Sequence, residues 1–262
     1  MKKIHFIAGL PRSGSTLLST ILNQNPKFQA SVSGPLMRFI RAIIQESCSQ
    51  GGHRIECPEQ KRKKIMMGIV DNYYDDTSKE VFFHSNRGTP LLLHTVKDMY
   101  PDAKLILCVR DIVQILNSFE WLVRKQPYEF TTIFPQGENL NVYTRCETLL
   151  GPNGIIPYAY AATKQAITSE HTNSIMLIEY EELARNPEYI IKNLYDFIGE
   201  EYFDHNYNDV EASYQEFDEE IHLRNLHTTR KVVSYIEKDM IIPPELIQMV
   251  ERNFPSVWKL VS

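Results

Sequence analysis

The sequence predicts an α/β protein of three layers, α/β/α, around a central parallel sheet. Three observations predict it. Residues 4–10 form a short apolar run that passes through a turn containing Gly9 and Gly14 into a segment whose Leu17, Leu18, Ile21 and Leu22 recur at helical spacing. Leu105–Val109 is apolar without a break, as a parallel strand covered on both faces would be. Elsewhere short apolar runs alternate with amphipathic helical stretches, the pattern of right-handed strand–helix–strand crossovers.

Taken in order, residues 4–10 are the first strand. Ser15 and Thr16 fall where an N-cap and a first helical turn belong, and Pro26 closes the element. Residues 36–50 predict an amphipathic helix with Leu36, Phe39, Ile40, Ile43 and Ile44 on one stripe, ended by Gly51-Gly52. Another begins near Pro58 and carries Ile65, Met66, Ile69, Val70 and Tyr73. Its Lys61-Arg62-Lys63-Lys64 run is an anion patch or, more simply, a solvated face. Val81-Phe82-Phe83 is a short strand, His84-Ser85-Asn86-Arg87-Gly88 a loop, and Thr89-Pro90 opens a helix with proline at its first position. The helix from Asp111 to Lys125 turns Ile112, Ile115, Leu116, Phe119 and Leu122 inward. From 126 to 154 the pattern weakens, with a short helix around 143–150. A helix near 158–170 precedes the fourth core strand at 175–178. Asn186-Pro187 starts a helix ending near Gly199. Residues 200–220, acidic and tyrosine-rich, form a lobe or lid, and a last helix follows Pro243-Pro244 and stops before Pro255.

With 262 residues, 43% of them hydrophobic, the chain can bury one large core, so a single domain over 1–262 is expected. A net charge of −5 argues against nucleic acid as a bulk partner and makes any cationic site a local feature. Cys48, Cys57, Cys108 and Cys146 show neither paired spacing nor a Cys/His ligand pattern, which fits a reducing, cytoplasmic setting without disulfides or metal. Met1-Lys2-Lys3 imitates the start of a signal peptide, but the apolar run behind it is short, holds His5 and stops at Pro11-Arg12, so it is expected to be a strand. No stretch approaches the ~18 apolar residues of a membrane span.

The first strand, its glycine turn and the following helix start aim unpaired backbone N–H groups and the positive end of a helix dipole at one spot, which favours phosphate or sulfate. Gly9, Gly14 and Thr16 have the spacing of a P-loop, Gly-x4-Gly-Lys-[Ser/Thr], yet Ser15 stands in the lysine position and the nearest positive charge is Arg12. Such a loop suits an anionic nucleotide other than a metal-bound triphosphate.

Pro11-Arg12-Ser13-Gly14-Ser15-Thr16-Leu17 resembles the 5′-phosphosulfate-binding loop of the sulfotransferases that use 3′-phosphoadenosine 5′-phosphosulfate (PAPS), with the nearest likeness to tyrosylprotein and related bacterial enzymes. The resemblance implies a P-loop NTPase-like sulfotransferase fold and assigns Arg12, Ser13, Gly14, Ser15 and Thr16 to the donor. Arg110 leaves a central strand and Ser118 follows eight residues on, as in the family's 3′-phosphate element; the plain alternative is a strand-end Arg110–Asp111 pair and a solvent-facing serine. Asn86-Arg87-Gly88 resembles the family's Asn-Lys context, so Arg87 is expected to stabilise sulfuryl transfer, unless it is a surface turn residue. Ile178-Glu179-Tyr180-Glu181-Glu182-Leu183 with Asn186-Pro187-Glu188 resembles the segment whose tyrosine borders the adenine, which implicates Tyr180; a tyrosine covering the core would look the same. In Leu226-His227-Thr228-Thr229-Arg230-Lys231, Arg230 and Lys231 match the basic loop that closes on the nucleotide, and Arg230 is the better phosphate partner.

The expected reaction is metal-independent, in-line transfer of a sulfuryl group from PAPS to a hydroxyl or amine of a small-molecule, carbohydrate or peptide acceptor. Here the pattern breaks: the segment that carries the tyrosylprotein enzymes' catalytic glutamate reads Ala30-Ser31-Val32-Ser33-Gly34-Pro35 and holds no carboxylate. Glu46, Glu120, His94 and His227 are the candidates for the base. His94 is preferred because a neutral imidazole titrates near physiological pH, while His227 beside Arg230 serves the nucleotide instead. Two alternatives stand. A P-loop kinase or NTPase would need a lysine at Ser15 and an acid such as Asp111 for Mg²⁺. A nucleotide-binding module that has lost catalysis would bind adenosine 3′,5′-bisphosphate without turnover.

Overall fold

The computed structural model describes residues 3–75, 77–135 and 141–260. Its five strands are all parallel: β1 (Lys3–Gly9), β2 (Phe28–Ala30), β3 (Val81–Ser85), β4 (Leu105–Val109) and β5 (Ile175–Glu179), in spatial order β2-β3-β1-β4-β5. β1 leads into α1 (Ser15–Leu22). After β2 come α2 (Leu36–Ser49), α3 (Gly51–Glu56) and α4 (Glu59–Tyr73). A 3₁₀ turn (Thr89–Leu92) and α5 (Leu93–Met99) connect β3 to β4, and α6 (Ile112–Arg124), α7 (Val142–Leu150) and α8 (Ile155–Ile167) connect β4 to β5. The remainder comprises α9 (Tyr180–Arg185), α10 (Pro187–Ile198), α11 (Gln215–Glu220) and α12 (Pro244–Asn253).

The three layers follow from the strand pleat, which sends successive side chains to opposite faces. Phe6, Ala8, Phe82, Leu105 and Leu107 pack with Leu36, Ile40, Met66 and Val96 on one face. Ile7, Val81, Phe83, Ile106 and Cys108 pack with Leu18, Ile21, Ile191 and Leu194 on the other. Only strands apolar on both sides can feed two cores, which is why these runs do not alternate. A third cluster joins α6, α7 and α12 around Trp258. No described helix is long and apolar enough to cross a membrane. All four cysteines are free, with Cys108 and Cys146 buried.

Several local expectations shift. β2 is a fifth strand beyond the four expected, and its three residues are too few to carry a periodic signal. β3 runs two residues further, because His84 and Ser85 pair in register with Phe6 and Ile7. Gly51-Gly52 does not end helical structure: the chain kinks at Gln50 (φ −134, ψ 152) and α3 starts at Gly51. Phe39 is exposed, and α2 buries Leu36, Met37 and Ile40 instead. Residues 200–220 are irregular apart from the start and body of α11.

Candidate active site

The turn after β1 is held in a backbone shape that few residues tolerate. Gly9 has φ 122, and a Cβ there would lie 2.0 Å from the Cys108 carbonyl oxygen of β4. Gly14 has φ 90 and serves as the N-cap of α1, so Ser15 is the first helical residue rather than a cap. Between them Arg12 adopts φ 55, a left-handed conformation that costs a non-glycine residue about 1 kcal/mol or more. Ser13 is buried, and its hydroxyl donates to the carbonyls of Leu10 (2.5 Å) and Cys108 (2.8 Å), tying the loop to the sheet rather than facing a ligand. No side chain caps α1. The N–H groups of Ser15, Thr16 and Leu17 therefore lack intrahelical acceptors, and these residues line a cavity at the carboxyl ends of β1, β3 and β4.

The cavity measures 1610 Å³, enough for a nucleotide and a second substrate together. Its described wall carries Arg12, Arg38, Arg41, Arg87, Arg110, Lys125, Arg230 and Lys238, opposed by the single acid Glu220. In a protein of net charge −5 this is a concentrated cationic site. Arg12 crosses it: Nε donates to Ser118 Oγ (3.2 Å) and the guanidinium also bonds the Leu226 carbonyl. Burial, with the nearby Arg110 charge, pushes Arg12 down to about 10, so it stays charged at neutral pH. Burial within the cavity likewise lowers Arg87, whose guanidinium makes no hydrogen bond or ion pair among the described residues. Arg110 pairs with Glu181 (2.9 Å), and its guanidinium lies 4.3 Å from the centre of the Tyr180 ring. Tyr180 opens α9, directly after β5. Desolvation, followed by the charges of Arg12, Lys125, Arg110 and Arg230, depresses Lys238 to about 8.

Ten of the residues singled out in the sequence thus meet in one place: Arg12, Gly14, Ser15, Thr16, Arg87, Arg110, Ser118, Tyr180 and Arg230, together with His227. Lys231 does not line the cavity. It follows Arg230 on a non-helical strap where neighbouring side chains diverge, and its carbonyl accepts from the Val210 N–H. His94 also stays outside. Its helix lies behind the 3₁₀ turn, and its imidazole is 83% exposed, 3.4 Å from Glu170 and grouped with His171. Glu46 is exposed against His53 (3.4 Å). Burial would raise the Glu120 carboxyl, but hydrogen bonds from Arg145 (2.7 Å) and Arg124 (2.8 Å) outweigh it and hold the group low, as a clamp between α6 and α7. Asp111 caps α6 by accepting from the Gln114 N–H (3.2 Å).

His227 is the base candidate that reaches the cavity. Its Nδ1 lies 2.8 Å from Oδ1 of buried Asp218, which also accepts the His227 backbone N–H at 3.0 Å. That contact fixes the tautomer and leaves Nε2 to accept a proton. Desolvation lowers the imidazole pKa, Asp218 pulls it up, and Arg12 and Arg87 push it down again; the net shift is downward, so the ring is neutral at pH 7. Sequence inspection missed Asp218 as its partner, and missed Lys238, because only the folded strap brings them in. It also missed Arg38 and Arg41, although their i, i+3 spacing on one helix was a visible signal.

Residues 5–204 match the sulfotransferase family. Among solved structures, the chain is similar to the sulfotransferase domain from the curacin biosynthetic pathway (13% identity, 96% of this chain and 97% of that one, TM-score 0.57). It is similar to a sulfotransferase from Alicyclobacillus acidocaldarius (17% identity, 97% and 91%, TM-score 0.53). A mouse sulfotransferase complexed with PAP gives 14% identity, 99% and 88% coverage and a TM-score of 0.57. At these identities the likeness establishes the fold.

Proposed function

The chain belongs to the sulfotransferase family, and from that premise we propose that it moves a sulfuryl group from PAPS to a hydroxyl or amine acceptor, acting as one domain over 1–262. The observation that carries the proposal is the uncapped start of α1 facing a cavity with eight cationic side chains in an acidic protein. The PAP complex of the mouse neighbour is consistent with this donor. The residues suit it. Gly9 and Gly14 let the loop pass close against the β4 backbone and the Tyr180 ring, the α1 N–H groups remain open to an anion, and no lysine occupies position 15 to serve a triphosphate.

PAPS supplies an activated sulfuryl group whose leaving group is adenosine 3′,5′-bisphosphate. The N–H groups of Ser15, Thr16 and Leu17 hold the 5′ end, while Arg12 and Arg87 stabilise charge developing on the bridging oxygen. Arg110, Ser118 and Arg230 receive the 3′-phosphate, and Tyr180 borders the base. His227, held by Asp218, takes the proton of the attacking hydroxyl at Nε2. A sulfuryl group carries less charge than a phosphoryl group, and the cationic wall meets its demand without a metal ion. Two measurements test the proposal: calorimetric titration with adenosine 3′,5′-bisphosphate in EDTA and with ATP in the presence of Mg²⁺, and transfer of label from PAPS to an acceptor panel in EDTA. Tight bisphosphate binding with turnover supports it. Preference for ATP with Mg²⁺ would favour a kinase or NTPase, and binding without turnover a non-catalytic module.

A further inference from the structure

The cations of the cavity wall are not gathered at one point, and the sheet order shows how they divide. β1 carries the 5′ loop at the centre of the sheet, and Arg110 and Ser118 follow β4 on one side of it. On the other side, beyond β3, the chain leaves the edge strand β2 into α2, whose Arg38 and Arg41 line the same cavity. β3 and β1 lie between the strand that leads into these two arginines and the strand that leads into Arg110, so the two strand ends are three strand spacings apart, about 14 Å.

Their placement runs against local helix preference. Arg38 is the third residue of α2, and the first turn holds no acid and no side-chain cap. A cation there opposes the helix dipole, which favours anions at that end. Among the described residues neither guanidinium makes an ion pair or a hydrogen bond. Both side chains are exposed on the cavity wall, and two guanidinium groups one turn apart without a protein partner among the described residues, at the positive end of a helix, offer a carboxylate two charged donors. Leu91, Leu92, Ile155 and Tyr158 supply apolar surface to the same cavity.

Resting on the sulfuryl-transfer function above, we propose that the acceptor is an anionic amphiphile: a hydroxyl compound with an apolar body and a carboxylate that Arg38 and Arg41 engage. The carboxylate anchors at the start of α2, the body lies on the Leu91–Leu92 turn, and the hydroxyl is delivered toward Arg87 and His227.

The test uses the full chain with two matched pairs of acceptors: hydroxyphenylpropanoate and its methyl ester, and a medium-chain ω-hydroxy fatty acid and its methyl ester. The expected kcat/KM favours the acid over its ester by about 10-fold or more in at least one pair, as for a charge-assisted hydrogen bond. In the Arg38→Gln/Arg41→Gln double variant that ratio falls toward 1, while the dissociation constant for adenosine 3′,5′-bisphosphate stays within about 2-fold. Retention of the bisphosphate affinity also shows that the variant is folded. Equal use of acid and ester in both pairs, no turnover of either acid, or an unchanged ratio in the variant overturns the proposal. Failure of the wild-type protein to bind the bisphosphate at all overturns the donor assignment itself, and is read separately in the calorimeter.

Discussion

His227→Asn separates a general base from a nucleotide contact. Asparagine retains a polar group within reach of Asp218, so the buried carboxylate keeps a partner, but the proton-accepting Nε2 is gone. Removing a positioned base costs about 10²–10⁴ in rate, or about 3–5 kcal/mol at 1.36 kcal/mol per decade. Asp218 holds the imidazole through Nδ1 at 2.8 Å and the backbone N–H at 3.0 Å, so Asp218→Asn frees the tautomer and should cost about 10–100-fold, as loss of an orienting partner does elsewhere. The sign of the pH dependence follows from the charges. The base works when neutral, and desolvation with Arg12 and Arg87 lowers its pKa from 6.5 despite Asp218. Activity is therefore full above pH 6.5 and falls only as pH drops through the lowered value. Asp218→Asn removes the group that raises the pKa, moving the acidic limb still lower. The assay is kcat/KM for the acceptor against pH at saturating PAPS. A His227→Asn enzyme within a few-fold of wild type, with its acidic limb intact, would refute the assignment. His94→Asn, exposed and outside the cavity, should leave both rate and limb unchanged.

Three further outcomes are expected. Arg12→Ala should lower turnover by about 10²–10³, since a preorganised charge at the developing anion is lost; steady-state rates with PAPS check it. Arg110→Ala and Ser118→Ala should each reduce the preference for adenosine 3′,5′-bisphosphate over the 5′-monophosphate, measured by parallel titrations, whereas an unchanged preference would make both residues structural. Lys238, depressed to about 8 by desolvation and its cationic neighbours, is protonated below that pH and attracts a polyanion there; bisphosphate affinity should decline as pH rises through about 8, and Lys238→Met should flatten that slope.

Much of this molecule is legible one segment at a time. The runs at 4–10 and 105–109 announce buried parallel strands because each must be apolar on both faces. The loop from Gly9 to Thr16 reads as a tight strand–helix turn because its two glycines and three hydroxyls lie within eight residues of one another. Arg110 and Ser118 could be placed together because a helix fixes the distance between them. The sequence determined these features since their interactions are local.

The tertiary structure decided the rest. β2 is a strand only because Phe28 and Ala30 find partners in Val81 and Phe83, contacts that no three-residue pattern encodes. Glu120 becomes a buried clamp through Arg145, 25 residues away, and His227, already one of four base candidates, gains its orienting partner Asp218 nine residues back on a short helix. His94 was preferred over His227 because His227 neighbours Arg230, but the folded chain turns the His94 imidazole to solvent. Arg38 and Arg41 share a cavity with Arg12 and Arg110 only once the sheet order brings α2 alongside the turn after β1. A residue's type and its near neighbours set what it can do. Which surface it faces is fixed by packing between segments far apart in the chain.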